Sequence, residues 1–328
     1  MVPHFPLFKP LPLHIPDGFL SLPVALIFWV ISIGLIAIAV RRTQGELGER
    51  QIPLMGVMAA FIFAAQMINF PVAGGTSGHL LGGALAAITL GPWAAMIVMA
   101  SVIGVQALLF QDGGLVVMGA NIFNMGLMTA LIGYGLYRGV AGTRRSVRLS
   151  VAGLAAWLSV MAGALATALQ LWLSGTALLR VVVPAMLGVH ALIGLGEALI
   201  TVAALAFISR VRPDLVEAQR SSGGRGWIFA GLAATFAVVL LSPLASANPD
   251  GLERVAADLG FTGHAGPLPF QILPDYTFPF FGGTGLSTVV AGALGVLVVA
   301  ALTLFLLRAI RRASRPEHLV NAPETDAR

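Results

Sequence analysis

Long uncharged runs constrain this chain more than any other feature of its sequence. Most of the runs are about as long as a membrane-spanning helix, which needs about 20 apolar residues. Only 10% of the 328 residues are charged and 57% are hydrophobic, whereas a soluble domain carries about 25% charged residues. We therefore expect an all-α integral membrane protein. The runs cover 22–40, 51–72, 80–110, 115–137, 149–179, 181–209 (interrupted by Glu197), 226–249 and 276–307.

The third run is too long for one helix. Gly91-Pro92 near its middle predicts a break, because proline ends helices and moves the preceding residue away from α geometry. Two helices here give nine membrane crossings. Every Lys and Arg except Lys9, Arg180 and Arg254 then falls on one side. The positive-inside rule makes that side cytoplasmic, so we expect a multi-pass protein of the inner membrane with its N-terminus outside and its C-terminus in the cytoplasm.

A polar stretch divides the chain into two parts. Residues 211–225 predict a cytoplasmic linker, 13–210 a seven-helix bundle, and 226–328 two further transmembrane helices joined by an extracellular loop. Within that loop, 252–259 predicts a short helix that ends at Gly260. Residues 1–12 are rich in proline and match no targeting signal. The chain has no cysteine, which excludes thiolate metal ligands. Its net charge of +5 does not indicate a nucleic-acid partner, because the arginines form short clusters that anchor helices at the surface of a bilayer.

The residues that carry chemistry gather on the predicted outer side. His14 precedes the first helix, His79 lies between the second and third, and His190 falls in the outer half of the seventh. Several neutral imidazoles outside the membrane favour a transition metal. Taken alone, hydrogen-bonded surface histidines are the more common explanation. Asp17-Gly18 is likewise explained by a turn that caps the first helix.

Four short segments, in order along the chain, make the hypothesis of a transition-metal site more specific. They are HIPDGFLS (14–21), FPVAGGTSGH (70–79), FQDGG (110–114) with GANIFNMG (119–126), and HALIGLGEALIT (190–201). Together they resemble the substrate-binding membrane subunit of energy-coupling factor transporters for nickel and cobalt. Further on, NPDGLERVAADLGF (248–261) and LPDY (273–276) resemble the PDGLE accessory domain of the same systems. The resemblance implies a non-catalytic subunit that captures Ni²⁺ or Co²⁺ at high affinity as transported substrate, with the fused tail favouring nickel.

The resemblance also implies a set of nitrogen ligands. In that family a methionine directly precedes the first histidine, and its free amine, the next backbone nitrogen and the histidine ring bind the metal together with the histidine of the GTSGH block. Here the ligands would be His14, His79 and an amine on residue 13, a set that suits square-planar nickel(II). Residue 13 is Leu13, and an internal leucine has an amide instead of an amine.

Three explanations of Leu13 stay open. A leucine codon read as a start would make Leu13 the first residue and residues 1–12 a start-site artefact, which is the explanation we favour. Proteolysis would also expose the amine. In the third case the long form is real and binds metal poorly.

Four more residues are candidates for hydrogen bonds that orient a ligand imidazole. Asn69, Ser77 and His190 are polar groups near the predicted site, and Glu197 lies two helical turns after His190 on the same face. Ordinary hydrogen bonds at helix ends and between helices are the alternative. Glu197 would be buried at a cost unless it is paired or protonated.

Energy for transport must come from other subunits. Lys9 is the only lysine, so the chain has no P-loop and binds no ATP by that route. The resemblance implies a transmembrane coupling subunit and cytoplasmic ATPases as partners. Gly56, Ala60 and Ala64 recur every four residues, a spacing that permits close helix packing in lipid. This stripe indicates either docking of the coupling subunit or packing within the chain.

Other functions remain open at this point. GTSG at 75–78 fits the GxSG pattern of rhomboid intramembrane proteases, with Ser77 as nucleophile and His190 as base. A passive metal channel would need no ATPase, and a plain assembly subunit would bind no ligand.

Overall fold

The structure, a computed structural model, describes residues 14–45, 47–48, 51–140, 142–211, 226–267 and 270–313. Leu13, the preceding extension and nearly all of the predicted linker lie outside the described residues.

The regular secondary structure of the described residues is helical except for one short hairpin. The helices are α1 (Leu22–Gln44), α2 (Gln51–Gln66), α3 (Gly83–Leu90), α4 (Pro92–Val105), α5 (Met118–Asn121), α6 (Met128–Tyr137), α7 (Arg145–Leu173), α8 (Leu179–Val211), α9 (Gly226–Leu241), α10 (Gly251–Leu259) and α11 (Gly285–Ala313). Strands β1 (Phe70–Val72) and β2 (Thr76–Gly78) pair antiparallel. Two π-helical turns follow α4 and α5, at Gln106–Phe110 and Ile122–Leu127. Short 3-10 turns cover Arg138–Val140, Ser242–Leu244, Thr262–His264 and Pro274–Tyr276.

The prediction of an integral membrane protein is confirmed in its main feature. Within the described ranges, six helices are long and apolar enough to cross a membrane, and α2 is a shorter apolar helix. The six are Leu22–Gln44, Pro92–Phe110, Arg145–Leu173, Leu179–Val211, Gly226–Leu244 and Gly285–Ala313.

The break at Gly91-Pro92 is also confirmed. Gly91 has a φ of +83° and Pro92 begins α4. Proline is tolerated there because the first helical position has no intrahelical N–H bond to lose. The preceding helix α3 has only 8 residues, all of them buried. At 1.5 Å per residue it extends about 12 Å, well short of the roughly 30 Å hydrocarbon core.

The second apolar run does not stay helical to its predicted end at residue 72. Helix α2 stops at Gln66, and the chain turns into the hairpin, in which Pro71 pairs with Ser77. The turn uses Gly74 and Gly75 at φ of +76° and +70°, a conformation that glycine adopts without strain. The hairpin delivers the chain directly to His79.

The small-residue stripe on α2 faces the interior of this chain. Ala60 and Ala64 have no exposed surface, and an added Cβ at Gly56 would lie 3.0 Å from the side chain of Leu304 on α11. Of the two interpretations of the stripe, packing within the chain is therefore what the structure shows. A partner could dock on this face only if α11 moved away.

The loop between α9 and α11 contains the short helix that the sequence predicted at 252–259. Helix α10 begins at Gly251, after Asp250, whose side chain accepts a hydrogen bond from the backbone N–H of Glu253 at 2.7 Å. It ends at Gly260, which has a φ of +76°. It packs against α8 and β2. Phe261, just after its end, has its ring 5.2 Å from that of Phe19 in the segment before α1.

Replacing Gly56 by leucine should destabilise the fold, because the new side chain overlaps Leu304. Overpacking of a close helix contact costs about 1–3 kcal/mol, and we expect a lower melting temperature for the detergent-solubilised protein. Gly34→Leu on α1 is the matched control, because nothing lies within 4 Å of a Cβ there. Equal melting temperatures for the two variants would show that α2 and α11 are not packed as described.

Candidate metal centre

The two histidines predicted as ligands lie side by side near the start of α1. The ring centroids of His14 and His79 are 5.5 Å apart, with 62° between the ring planes. Both residues are buried, at 3% and 7% exposure. The chain brings them together from segments 65 residues apart, so the pairing depends on the tertiary fold.

Each ring is held by a backbone carbonyl. Nδ1 of His14 lies 2.9 Å from the carbonyl oxygen of Asp112, and Nδ1 of His79 lies 3.0 Å from that of Leu80. A carbonyl only accepts, so Nδ1 carries the proton in each neutral ring and Nε2 keeps a free lone pair. Nε2 of His14 is buried and has no hydrogen-bond partner among the residues that the structure describes. A buried unpaired acceptor is costly, and a bound metal ion would satisfy it.

The electrostatics keep His79 neutral. Burial lowers its pKa from the ordinary 6.5 to about 4, and the neighbouring His14 acts in the same direction. A ring with this pKa is unprotonated at neutral pH. Its lone pair is then available to a metal ion without release of a proton.

The segment that carries His14 is clamped by an asparagine. The side-chain oxygen of Asn121 accepts from the backbone N–H of Ile15 at 3.1 Å, and its amide donates to the carbonyl of Ile15 at 3.0 Å. The backbone N–H of Gly114 donates to the same carbonyl at 2.9 Å. Asn121 belongs to the GANIFNMG block, but nothing in its local sequence reveals a partner 106 positions away.

Asp17 does not cap the first helix, as the sequence suggested it could. The N-cap of α1 is Ser21. The Asp17 carboxylate instead accepts from the consecutive backbone N–H groups of Leu115, Val116 and Val117, at 3.0, 2.9 and 3.2 Å. This arrangement ties the N-terminal segment to the loop between α4 and α5. The predicted turn at Gly18 is present, with a φ of +93°.

A cavity of about 70 Å³ adjoins the imidazole pair. His14, His79 and His190 all line it, and the backbone at Asp250 and Gly251 closes one side. An added Cβ at Gly251 would lie 2.7 Å from the ring of His190, so only glycine permits this approach. Its other lining residues are Ile15, Gly78, Leu81, Asn121, Asn124, Met125, Val160, Gly163, Ala164, Thr167, Met186, Ile193 and Leu252.

The other sequence candidates hold loops around the site. The backbone carbonyl of Asn69 accepts from the N–H of Ser246 at 2.7 Å. The hydroxyl of Ser77 donates to the carbonyl of Asn248 at 2.7 Å. Both therefore bind the loop that leads to α10. These contacts connect the two parts of the chain.

Glu197 and His190 likewise bond to backbone groups. The carboxylate of Glu197 accepts from the N–H groups of Leu81 and Gly82, at 2.6 and 3.0 Å, and so fixes the chain just after His79. Nδ1 of His190 lies 2.8 Å from the carbonyl of Met186. Within the described residues, Ser77 and His190 thus bond to separate carbonyls and do not form the dyad of a rhomboid protease.

The donor set is rich in nitrogen and poor in carboxylates. In the part of the chain that the structure describes, no group of three or more His, Cys, Asp or Glu side chains could hold a metal ion. Backbone or terminal nitrogens and water are further ligands that such an imidazole pair can use.

A multi-pass helical membrane protein with two buried imidazoles beside a small cavity has the features of a membrane-embedded metal binder. The chain belongs to the CbiM family, described as the cobalt uptake substrate-specific transmembrane region, whose model matches residues 14–215. A PDGLE domain follows at residues 225–312.

Relatives share this two-part organisation. A protein of Archaeoglobus fulgidus that carries the name NikMN is 37% identical over 92% of this chain and 100% of its own length. The fused nickel transport protein NikMN of Rhodobacter capsulatus is 31% identical over 88% of this chain and 95% of its own. The crystal structure of a truncated transition metal transporter is similar with a TM-score of 0.54 and 34% identity, covering 60% of this chain and 98% of that one.

Asn121→Ala should release the segment that carries His14. The variant loses two hydrogen bonds, each of which contributes about 1 kcal/mol. The segment should therefore open roughly 30-fold more often. Hydrogen exchange measured by mass spectrometry should show faster exchange at residues 14–20. Asn124→Ala is the control, because Asn124 pairs with Thr167 and Gln170 and not with the segment. Unchanged exchange in Asn121→Ala would contradict the clamp.

Proposed function

We propose that this protein captures Ni²⁺ or Co²⁺ from the outer face of the cell membrane and passes it to an ATP-driven importer of the energy-coupling factor type. One observation carries the proposal: two buried imidazoles lie 5.5 Å apart, and the Nε2 of His14 has no protein partner. The names of the NikMN relatives support nickel as the ion.

The proposed ligands are the ring of His79, the ring and backbone nitrogen of His14, and an amine on Leu13 when that residue is the mature N-terminus. Four nitrogens suit the square-planar geometry of nickel(II). Ser77 and Glu197 hold the chain on either side of His79. Asn69 supports the neighbouring loop through its backbone carbonyl, and His190 lines the cavity while bonding within its own helix.

The proposed topology has nine crossings, with seven in residues 13–210 and two in 226–328. It counts α2, the short α3 and the continuous helix from Met118 to Tyr137 as crossings, in addition to the six long helices. The distribution of arginines supports a cytoplasmic side at the ends of α1, α6, α8 and α11. The site at His14 and His79 then faces outward.

The proposed partners are a transmembrane coupling subunit and cytoplasmic ATPases. The absence of a P-loop from the sequence supports a separate source of energy. Because α11 covers the stripe on α2, we place docking on a lipid-facing surface elsewhere on the bundle.

His14→Ala and His79→Ala should each weaken Ni²⁺ binding more than about 100-fold. Loss of a residue that only hydrogen-bonds to a ligand weakens metal binding up to about 100-fold, and loss of the ligand itself should cost more. Calorimetric titration of purified protein measures this affinity. His264→Ala is the control, because its exposed ring does not line the cavity. Unchanged affinity in either ligand variant would refute the proposed site.

The same titration tests the terminal amine. Protein that begins at residue 13 should bind Ni²⁺ more tightly than the full chain, because only its residue 13 has an amine. Equal affinities would remove the amine from the ligand set and leave the two imidazoles.

Uptake of nickel should require ATP hydrolysis. Right-side-out vesicles that contain this chain with its coupling and ATPase subunits should accumulate radioactive nickel when loaded with ATP. Vesicles loaded with a non-hydrolysable analogue should not. Equal uptake in both would indicate a passive channel and contradict energy coupling.

A further inference from the structure

A buried carboxylate binds the chain just after His79. Glu197, on α8, has no exposed surface. Its Oε2 accepts from the backbone N–H of Leu81 at 2.6 Å, and its Oε1 accepts from that of Gly82 at 3.0 Å. Hydrogen bonds to a carboxylate are shorter and roughly twice as strong as those between neutral groups. The short contact to Leu81 is of this kind.

The N–H of Leu81 belongs to the same peptide unit as the carbonyl of Leu80. That carbonyl accepts from Nδ1 of His79 at 3.0 Å. The peptide bond between the two leucines is trans, so its carbonyl and its N–H point in opposite directions. The two hydrogen bonds therefore run in series, from the imidazole of His79 through one peptide unit to the carboxylate of Glu197.

Hydrogen bonds in series polarise one another, and a buried setting strengthens the effect. The negative charge of the carboxylate makes the carbonyl oxygen of Leu80 a better acceptor, so that it holds the Nδ1–H of His79 more strongly. In many metal sites a carboxylate or carbonyl binds the second nitrogen of a ligand imidazole, which fixes the ring and raises the basicity of the coordinating nitrogen. Here the carboxylate lies one peptide unit further away.

We propose that Glu197 is a positioning residue for metal binding, acting on the ring of His79 through the peptide unit between Leu80 and Leu81. His79 binds the metal through Nε2, because its Nδ1 donates to Leu80. The series of hydrogen bonds therefore stays intact when metal binds, and its effect is to raise the affinity. This inference rests on the proposed function, because it takes His79 as a ligand.

A purely structural role for Glu197 would be to hold residue 81 in place, and Gln66 separates the two roles. The side-chain amide of Gln66, at the end of α2, donates to the carbonyl of Leu81 at 2.7 Å. That carbonyl belongs to the next peptide unit along the chain, which does not include the carbonyl that His79 binds. Gln66→Leu therefore loosens the same residue and leaves the series of hydrogen bonds intact.

The experiment titrates Ni²⁺ into full-chain variants in detergent, with the melting temperature of each variant recorded. Glu197→Gln keeps an oxygen that accepts and removes the charge, and we expect it to weaken binding roughly 10-fold. Glu197→Asp, which keeps the charge, should lose less affinity. Gln66→Leu should bind Ni²⁺ as the unchanged chain does, even where its melting temperature falls. Asp258→Asn should also bind unchanged, and it controls for the loss of one carboxylate, because Asp258 is exposed and pairs with Arg254.

Nuclear magnetic resonance of the metal-free protein, with isotope-labelled histidine, gives a readout that a structural role does not move. The Nδ1 proton of His79 is identified by its loss in His79→Ala. It should resonate upfield in Glu197→Gln, because its hydrogen bond is weaker there. In Gln66→Leu and Asp258→Asn it should keep its position.

Two results would overturn the inference. One is unchanged Ni²⁺ affinity in Glu197→Gln while His79→Ala abolishes binding. The other is an equal loss of affinity in Glu197→Gln and Gln66→Leu with the Nδ1 proton of His79 unmoved, which would mean that only the position of residue 81 matters. If instead His79→Ala binds Ni²⁺ as tightly as the unchanged chain, the proposed function itself fails, and that outcome is distinct from the first two.

Discussion

The candidate metal centre depends on keeping two imidazoles buried and close together. Two protonated rings at 5.5 Å in a buried setting would repel each other and lose their hydration. The structure avoids this by giving each Nδ1–H a backbone carbonyl, from Asp112 for His14 and from Leu80 for His79. Each ring is thereby fixed in the tautomer whose Nε2 has a free lone pair. The surrounding contacts hold the three segments that carry these rings and carbonyls.

Those contacts come from both parts of the chain, which explains why a fused accessory domain suits this bundle. Asn121 and Asp17 bind the N-terminal segment to the α4–α5 loop within the first part. Ser77 and Asp112 bind the same region to the second part, through the carbonyl of Asn248 and the hydroxyl of Tyr276. Without the loops before and after α10, Asp112 would lose its hydrogen bond with Tyr276, and Ser77, two residues before His79, would lose its bond with Asn248. Fusion keeps the supporting loop at high effective concentration.

The sequence was sufficient wherever a local signal determines local structure. Apolar runs, the Gly91-Pro92 break and the Gly260 terminus of α10 follow from length, from proline chemistry and from left-handed glycine, and all are present. It was insufficient where a residue's partner lies far along the chain. Asp17 has the sequence context of a cap but binds N–H groups about 100 positions away. The stripe at Gly56 is equally suited to any close helix, and only the tertiary fold selects α11.

The chemistry of the proposed ligand set implies movement at His14 when metal binds. A metal held by the backbone nitrogen of a histidine can reach the ring of the same residue only through Nδ1, because that path closes a six-membered chelate ring, whereas Nε2 points away. In the structure Nδ1 of His14 donates to Asp112. Chelation therefore requires the ring to leave that carbonyl and lose its proton, whereas binding through the unpaired Nε2 leaves the contact intact. The Asp112 carbonyl thus opposes the chelate and favours binding through Nε2.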